Sequence, residues 1–196
     1  MATIALPSSF RPESFSMRMS TNQRSFASPF GGSEQVSDML NDRWTATVSI
    51  PRRGSDTQAS IEAFVNAMRG QTNTCNLWHM QRPVPRGTMR ASPLTNGVFQ
   101  GASTVFIYTT PGATLLAGDM FGVGGMLFQV ASDVTADGAG EFVVPVVNRV
   151  RKSLPALTPV VWDKPTAPFR LMTNASVLYQ PGYAEGVSLD FAEAIQ

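Results

Sequence analysis

The residue types that most often serve as nucleophile, general base or soft-metal ligand occur once each, four positions apart: Cys75 and His79. A thiol beside an imidazole can act as a nucleophile and its base. In a strand, residues four apart share a face but stand more than about 10 Å from each other. No third or fourth ligand of zinc type accompanies them. Packing or surface exposure is the plainer reading of both, and a Cys–His pair made by folding has no supporting motif. One cysteine also rules out an internal disulfide, so no oxidising compartment is indicated.

Three other groups could carry chemistry. Gly122-Val123-Gly124-Gly125-Met126 resembles part of a phosphate loop, but no Lys-Ser/Thr follows and the next segment reads as a strand. A β-hairpin turn is the better reading. Asp119, Asp133 and Asp137 have oxygen ligands suited to calcium. They lack EF-hand spacing, and aspartates in turns usually accept backbone amides. No Ser-His-Asp signature appears. We therefore expect no enzyme, no cofactor and no metal site. The third group is cationic: Arg52 and Arg53, then Arg82, Arg86 and Arg90 near Trp78, then Arg149 and Arg151 beside Lys152. Arginines interleaved with aromatics can bind single-stranded nucleic acid. Arginine is also the cation that pairs bidentately with a neighbour's carboxylates. With a net charge of +1, the second use is favoured, and these seven are the candidate subunit-interface residues.

Composition points the same way. Charged residues make up 15 % of the chain, against about 25 % in an average soluble protein. Two lysines stand against thirteen arginines, and lysine is the cation of open surface. Residues 1–100 carry ten arginines and six acids, while residues 101–196 carry five basic and eight acidic residues. Such an asymmetry suits head-to-tail docking of copies, unless it is only scatter. No apolar run approaches a membrane span, and the N-terminus lacks the pattern of a secretory signal.

The elements that must position these residues are mostly strands. Phe15, Met17 and Met19 alternate, and Ser28 to Gly32 is a turn. Gln35 to Arg43 is ambiguous. Arg43 to Ile50 alternates, with Trp44 and Val48 on the core face, until Pro51. One helix is predicted over 56–69, with Ser55 or Asp56 as N-cap and Gly70 as the C-cap glycine. Its apolar stripe is Ile61, Phe64, Val65 and Met68. After Gly70 we expect strands at 74–80, 104–109, 126–130, 141–147, 159–162, 169–172 and 187–191. Pro145 marks an edge or bulge. The fold class is mainly β with one packed helix: a split barrel or sandwich over 16–196, preceded by an arm of residues 1–15.

Several stretches recur in a distinctive order: Ser28-Pro29-Phe30-Gly31-Gly32-Ser33-Glu34-Gln35, then Asp42-Arg43-Trp44, the helix Ala63 to Gly70, Leu77-Trp78-His79 and Arg82 to Thr88. Ala117 to Phe121, Asp137 to Glu141 and Pro168-Phe169-Arg170-Leu171 follow. This set, over roughly residues 15–172, resembles the distal tail or baseplate proteins of tailed bacteriophages. The resemblance implies a tail-tube-like β-barrel with a helix alongside, assembled as a ring, usually hexameric. Its partners would be copies of itself and the tail tube, hub and tape-measure proteins, with DNA at most in passage through a channel. It implies a virion protein made in the host bacterial cytoplasm. A chain of this length leaves little room for a second, receptor-facing domain. On this reading the N-terminal arm packs on a neighbour and orders on assembly. A head–tail connector or tail terminator is the related alternative. An OB-like single-stranded nucleic-acid-binding module using the Arg82–Arg90 loop is the alternative from another class.

Overall fold

A computed structural model describes residues 1–195. The chain opens with a long hairpin, β1 (Ser14–Ala27) and β2 (Glu34–Ile50), followed by α1 (Ser55–Met68) and β3 (Cys75–Leu77). Then come β4 (Leu94–Val98), β5 (Thr104–Tyr108), β6 (Thr114–Leu115), β7 (Met120–Val123), β8 (Met126–Gln129), β9 (Val134–Thr135) and β10 (Glu141–Pro145). The last are β11 (Leu154–Val161), β12 (Ala167–Leu171), β13 (Tyr179–Gln180), β14 (Tyr183–Ala184) and β15 (Val187–Glu193). The fold is mainly β with a single helix.

Two antiparallel sheets carry the architecture. One has the order β1-β2-β15-β12-β3, the other β10-β5-β4-β11-β7-β8. The six-stranded sheet curls until its outer strands touch. Val130 bridges Val146, the Val147 amide donates to the Gln129 carbonyl at 2.9 Å, and the Ala131 amide donates to Pro145 at 2.8 Å. Its interior is filled by side chains such as Phe121, Phe128, Val105, Ile107 and Val144. Phe121 and Phe128 stack at 5.5 Å.

A second core lies under the five-stranded sheet and α1. Trp44, Val48, Ile61, Phe64 and Met68 are buried there, and Val65 packs at its edge. The β7–β8 hairpin serves both cores. Phe121 and Phe128 point into the barrel, while Met120 and Leu127 join the second core. The Trp44 indole donates to the Leu127 carbonyl at 2.9 Å, tying the sheet to the barrel wall. The turn of this hairpin is Gly124-Gly125, at φ 57° and 81°. A two-residue hairpin loop with both central residues at positive φ is where glycine is needed.

The helix ends differ from expectation. Gly54, not Ser55 or Asp56, is the N-cap residue, and both acidic or hydroxyl candidates already lie inside the first turn. Arg69 takes the left-handed conformation at φ 49° and its amide returns to the Asn66 carbonyl at 3.1 Å; Gly70 follows at φ 61°. The N-terminal segment also lies elsewhere than expected: it runs over its own chain. Ile4, Leu6 and Phe10 pack on the second core, and Phe10 meets Phe64 edge-to-face at 5.8 Å. The Ile4 amide donates to Thr74 at 2.7 Å. Apolar side chains in this segment find a site on their own helix, so a neighbour is not required to bury them.

Candidate assembly surface

The feature that stands apart from both cores is the outer part of the β1–β2 hairpin. β2 pairs with β15 only from Thr45 to Ile50. Beyond that point, from Asn22↔Met39 to Ala27↔Glu34, the two strands pair only with each other. Every residue from Ser20 to Met39 is exposed. Eight residues of extended chain, Ser20 to Ala27, project roughly 20 Å or more. A free two-stranded ribbon is marginal in water. This one also exposes Phe26, Val36 and Phe30, the last 99 % accessible at the tip. Apolar side chains placed this way mark a surface to be covered.

The ribbon has two chemically different faces. Pairing slips by two between Ser20↔Arg43 and Asn22↔Met39. A slip of two preserves the side-chain alternation, whereas a slip of one would invert it. The face that continues the buried side of the sheet therefore carries Glu34, Asp38 and Asp42. The opposite face carries Arg18, Arg24 and Arg43 with Phe26 and Met39, and holds no carboxylate in either strand. Asp38 lies 3.5 Å from Arg149 of the chain's own barrel side. The acidic face thus turns toward the chain's own body and the basic, aromatic face turns away.

Most of the seven candidate arginines are engaged within the chain. Arg53 donates to the Ser9 carbonyl at 3.0 Å and also to Arg11, clamping the N-terminal segment. Arg82 donates to Gly118 at 2.8 Å. Arg86 contacts the Asp119 carboxylate at 3.3 Å and the Ala117 carbonyl. Arg90 donates to the carbonyls of Gly87 at 2.9 Å and Pro85 at 3.2 Å, and lies over the Trp162 ring. Arg151 makes a two-pronged ion pair with Glu193 and donates to the Asp42 carbonyl at 2.8 Å. Arg52 stacks on partly buried Tyr183 at 4.2 Å, and half-exposed Arg149 meets Asp38. Hence Arg82, Arg86 and Arg90 do not form an open cationic cluster: Arg82 and Arg86 reach the 116–119 turn, and Arg90 folds back on carbonyls of its own loop. The ribbon cations Arg18, Arg24 and Arg43 are not singled out by the sequence. Their signal was present as alternation, but Glu34, Asp38 and Asp42 recur every four residues, a spacing that fits a helix as well as a strand.

The other chemical candidates have structural partners. Asp119 accepts the amides of Arg86 at 2.9 Å, Gly87 at 3.0 Å and Leu116 at 2.9 Å. Burial alone would raise its pKa, but these bonds and the Arg86 side chain outweigh it and hold the carboxyl below its usual range. Asp133 and Asp137 likewise accept backbone amides. No group of three or more His, Cys, Asp or Glu converges on one point among the described residues. His79 sits edge-on to Phe15 at 5.2 Å, with Nε2 3.0 Å from Arg82. Burial, then the Arg82 charge, lowers its pKa, so the ring is neutral at neutral pH.

Cys75 is fully buried, and burial pushes its thiol up to about 12. The thiolate is the reactive form. The folded chain therefore resists thiol reagents at mildly alkaline pH and reacts stoichiometrically only in denaturant; colorimetric thiol titration with and without denaturant checks this.

No family model matches the chain, and no curated protein matches it in sequence.

Proposed function

We propose that the chain is a structural protein of a bacteriophage tail, a distal tail or baseplate ring component that assembles with copies of itself and links the tail tube to the tail tip. The observation that carries this reading is the exposed β1–β2 ribbon, which cannot bury its aromatic tip on its own subunit. The resemblance of residues 15–172 to that family, the low charge fraction and the β-barrel with one helix support it. A head–tail connector or tail terminator would use the same features. The OB-like reading is weaker, because the arginines it needs already donate to carbonyl groups of the same chain.

Light scattering and negative-stain imaging of the purified chain test the proposal. The expected result is a closed ring with a central hole. Replacing residues 22–39 by Gly-Ser, which leaves a six-residue loop between the paired Ser20 and Arg43, should leave a folded protein that no longer assembles. A wild-type chain that stays monomeric at high concentration overturns the ring. Tight, steeply salt-dependent binding of single-stranded DNA by the free subunit would favour the nucleic-acid module instead.

A further inference from the structure

A groove of about 370 Å³ lies on the outer side of β5 and β10. Phe106 and Val143 are cross-strand partners there, both about half exposed, and Tyr108 stands opposite Glu141. Asp137 lies at the rim, held by the amides of Ala139 and Glu141 at 2.9 Å each. No lysine, arginine or histidine lines the groove. It is thus a cleft of mixed lining, apolar and aromatic at Phe106, Tyr108 and Val143, polar at Asn96 and Thr135, with two carboxylates and no cation of its own.

The ribbon's outer face has the reciprocal chemistry: Phe26 and Met39 with Arg24, and no carboxylate. We propose that the ribbon of one copy docks in the β5–β10 groove of the next, with Phe26 against Phe106 and Val143 and Arg24 toward Glu141 and Asp137. The occupant is a second copy of this chain for two reasons. The same polypeptide carries both complementary surfaces, the cationic one in its positive half and the acidic one in its negative half. The ribbon cannot serve its own groove, because its acidic face is the one turned to its own body through Asp38 and Arg149. Donor and acceptor are different surfaces, so the contact is heterologous and propagates to a ring or a filament. This rests on the self-assembly reading above and names the surface that assembly would use.

Cross-linking separates the two. A chain carrying both Phe26→Cys and Val143→Cys is oxidised mildly, with Phe26→Cys plus Ala63→Cys as the control on a distant exposed site. The native thiol does not compete, because Cys75 is buried. The double variant should give an intermolecular disulfide ladder that the control lacks. Arg24→Glu and Glu141→Arg, introduced singly, should each lower the ladder yield about tenfold, since like charges then face each other. Together they should restore it. Both residues are exposed, and circular dichroism confirms that the variants fold. A ladder ending at one fixed size supports both docking and a closed ring. A ladder without a fixed end supports docking and overturns the ring. Wild-type rings without cross-links overturn docking and leave the ring standing. A monomer without cross-links overturns both, as does cross-linking that appears only when single-stranded DNA is added.

Discussion

Arg151→Met should lower stability by about 3–5 kcal/mol, because it leaves a carboxylate without its counter-charge in the interior. Arg151 is 9 % exposed at its side chain and Glu193 not at all. Glu193 also accepts the Trp44 amide at 3.1 Å, and Arg151 holds the Asp42 carbonyl at 2.8 Å. The pair therefore fixes the place where β15, the root of the ribbon and the segment before β11 meet. For a chain of this size the loss corresponds to a fall in Tm of roughly 10 °C. The effect should be nearly independent of salt, since a buried pair is little screened. Arg151→Met combined with Glu193→Leu should recover part of the loss, because no unpaired charge then remains. Recovery stays incomplete, as the Trp44 amide still lacks its acceptor. Thermal unfolding of the two single variants and the double variant measures all three values.

Asp119→Ala should cost about 3–5 kcal/mol, since it strands three backbone amides in or near the core and each unmade bond is worth about 1–3 kcal/mol. Asp119 is 2 % exposed and joins the 85–90 loop to the turn before β7. Asp119→Asn keeps one acceptor oxygen and the shape, so it should lose about half as much. The sign with pH follows from the lowered pKa. Folding strengthens the acidity of this carboxyl, so its contribution is complete above its unfolded pKa of about 4. It is lost as pH falls through the lower folded value. Urea titrations should show wild type and Asp119→Asn converging at acid pH and diverging toward neutrality. Curves that stay parallel across that range would refute the assignment.

How much of this was legible in the sequence depends on what decided each element. Arg43 to Ile50 alternates because one side of β2 is buried, and a half-buried strand writes its burial into the chain. Ile61, Phe64 and Met68 do the same for the helix. The pattern failed where burial is two-sided. All four residues of β7 are buried, so Met120 to Val123 has no alternation to read. β4 was missed because Asn96 and Gly97 are poor strand formers; Gly97 sits at φ 83° beside an irregular pairing with β11. β3 proved shorter than its pattern, ending at Leu77 before the His79–Arg82 turn. The arginines illustrate a different limit. Their types were visible, but Arg151 meets Glu193 across 42 positions, and only the fold decides whether a guanidinium faces a neighbour or its own chain. The ribbon's two faces needed its register, and register comes from pairing.

The shared β7–β8 hairpin has a mechanical consequence. Met120 and Leu127 anchor one layer while Phe121 and Phe128 fill the other, so neither core can be pulled open without disturbing the same ten-residue segment. A load taken up by the ribbon passes down β2 to Trp44, and through the indole bond to Leu127 into the barrel wall. The chain therefore behaves under strain as one stiff coupling from ribbon to barrel, with its compliance confined to the part of the ribbon that stands clear of the body.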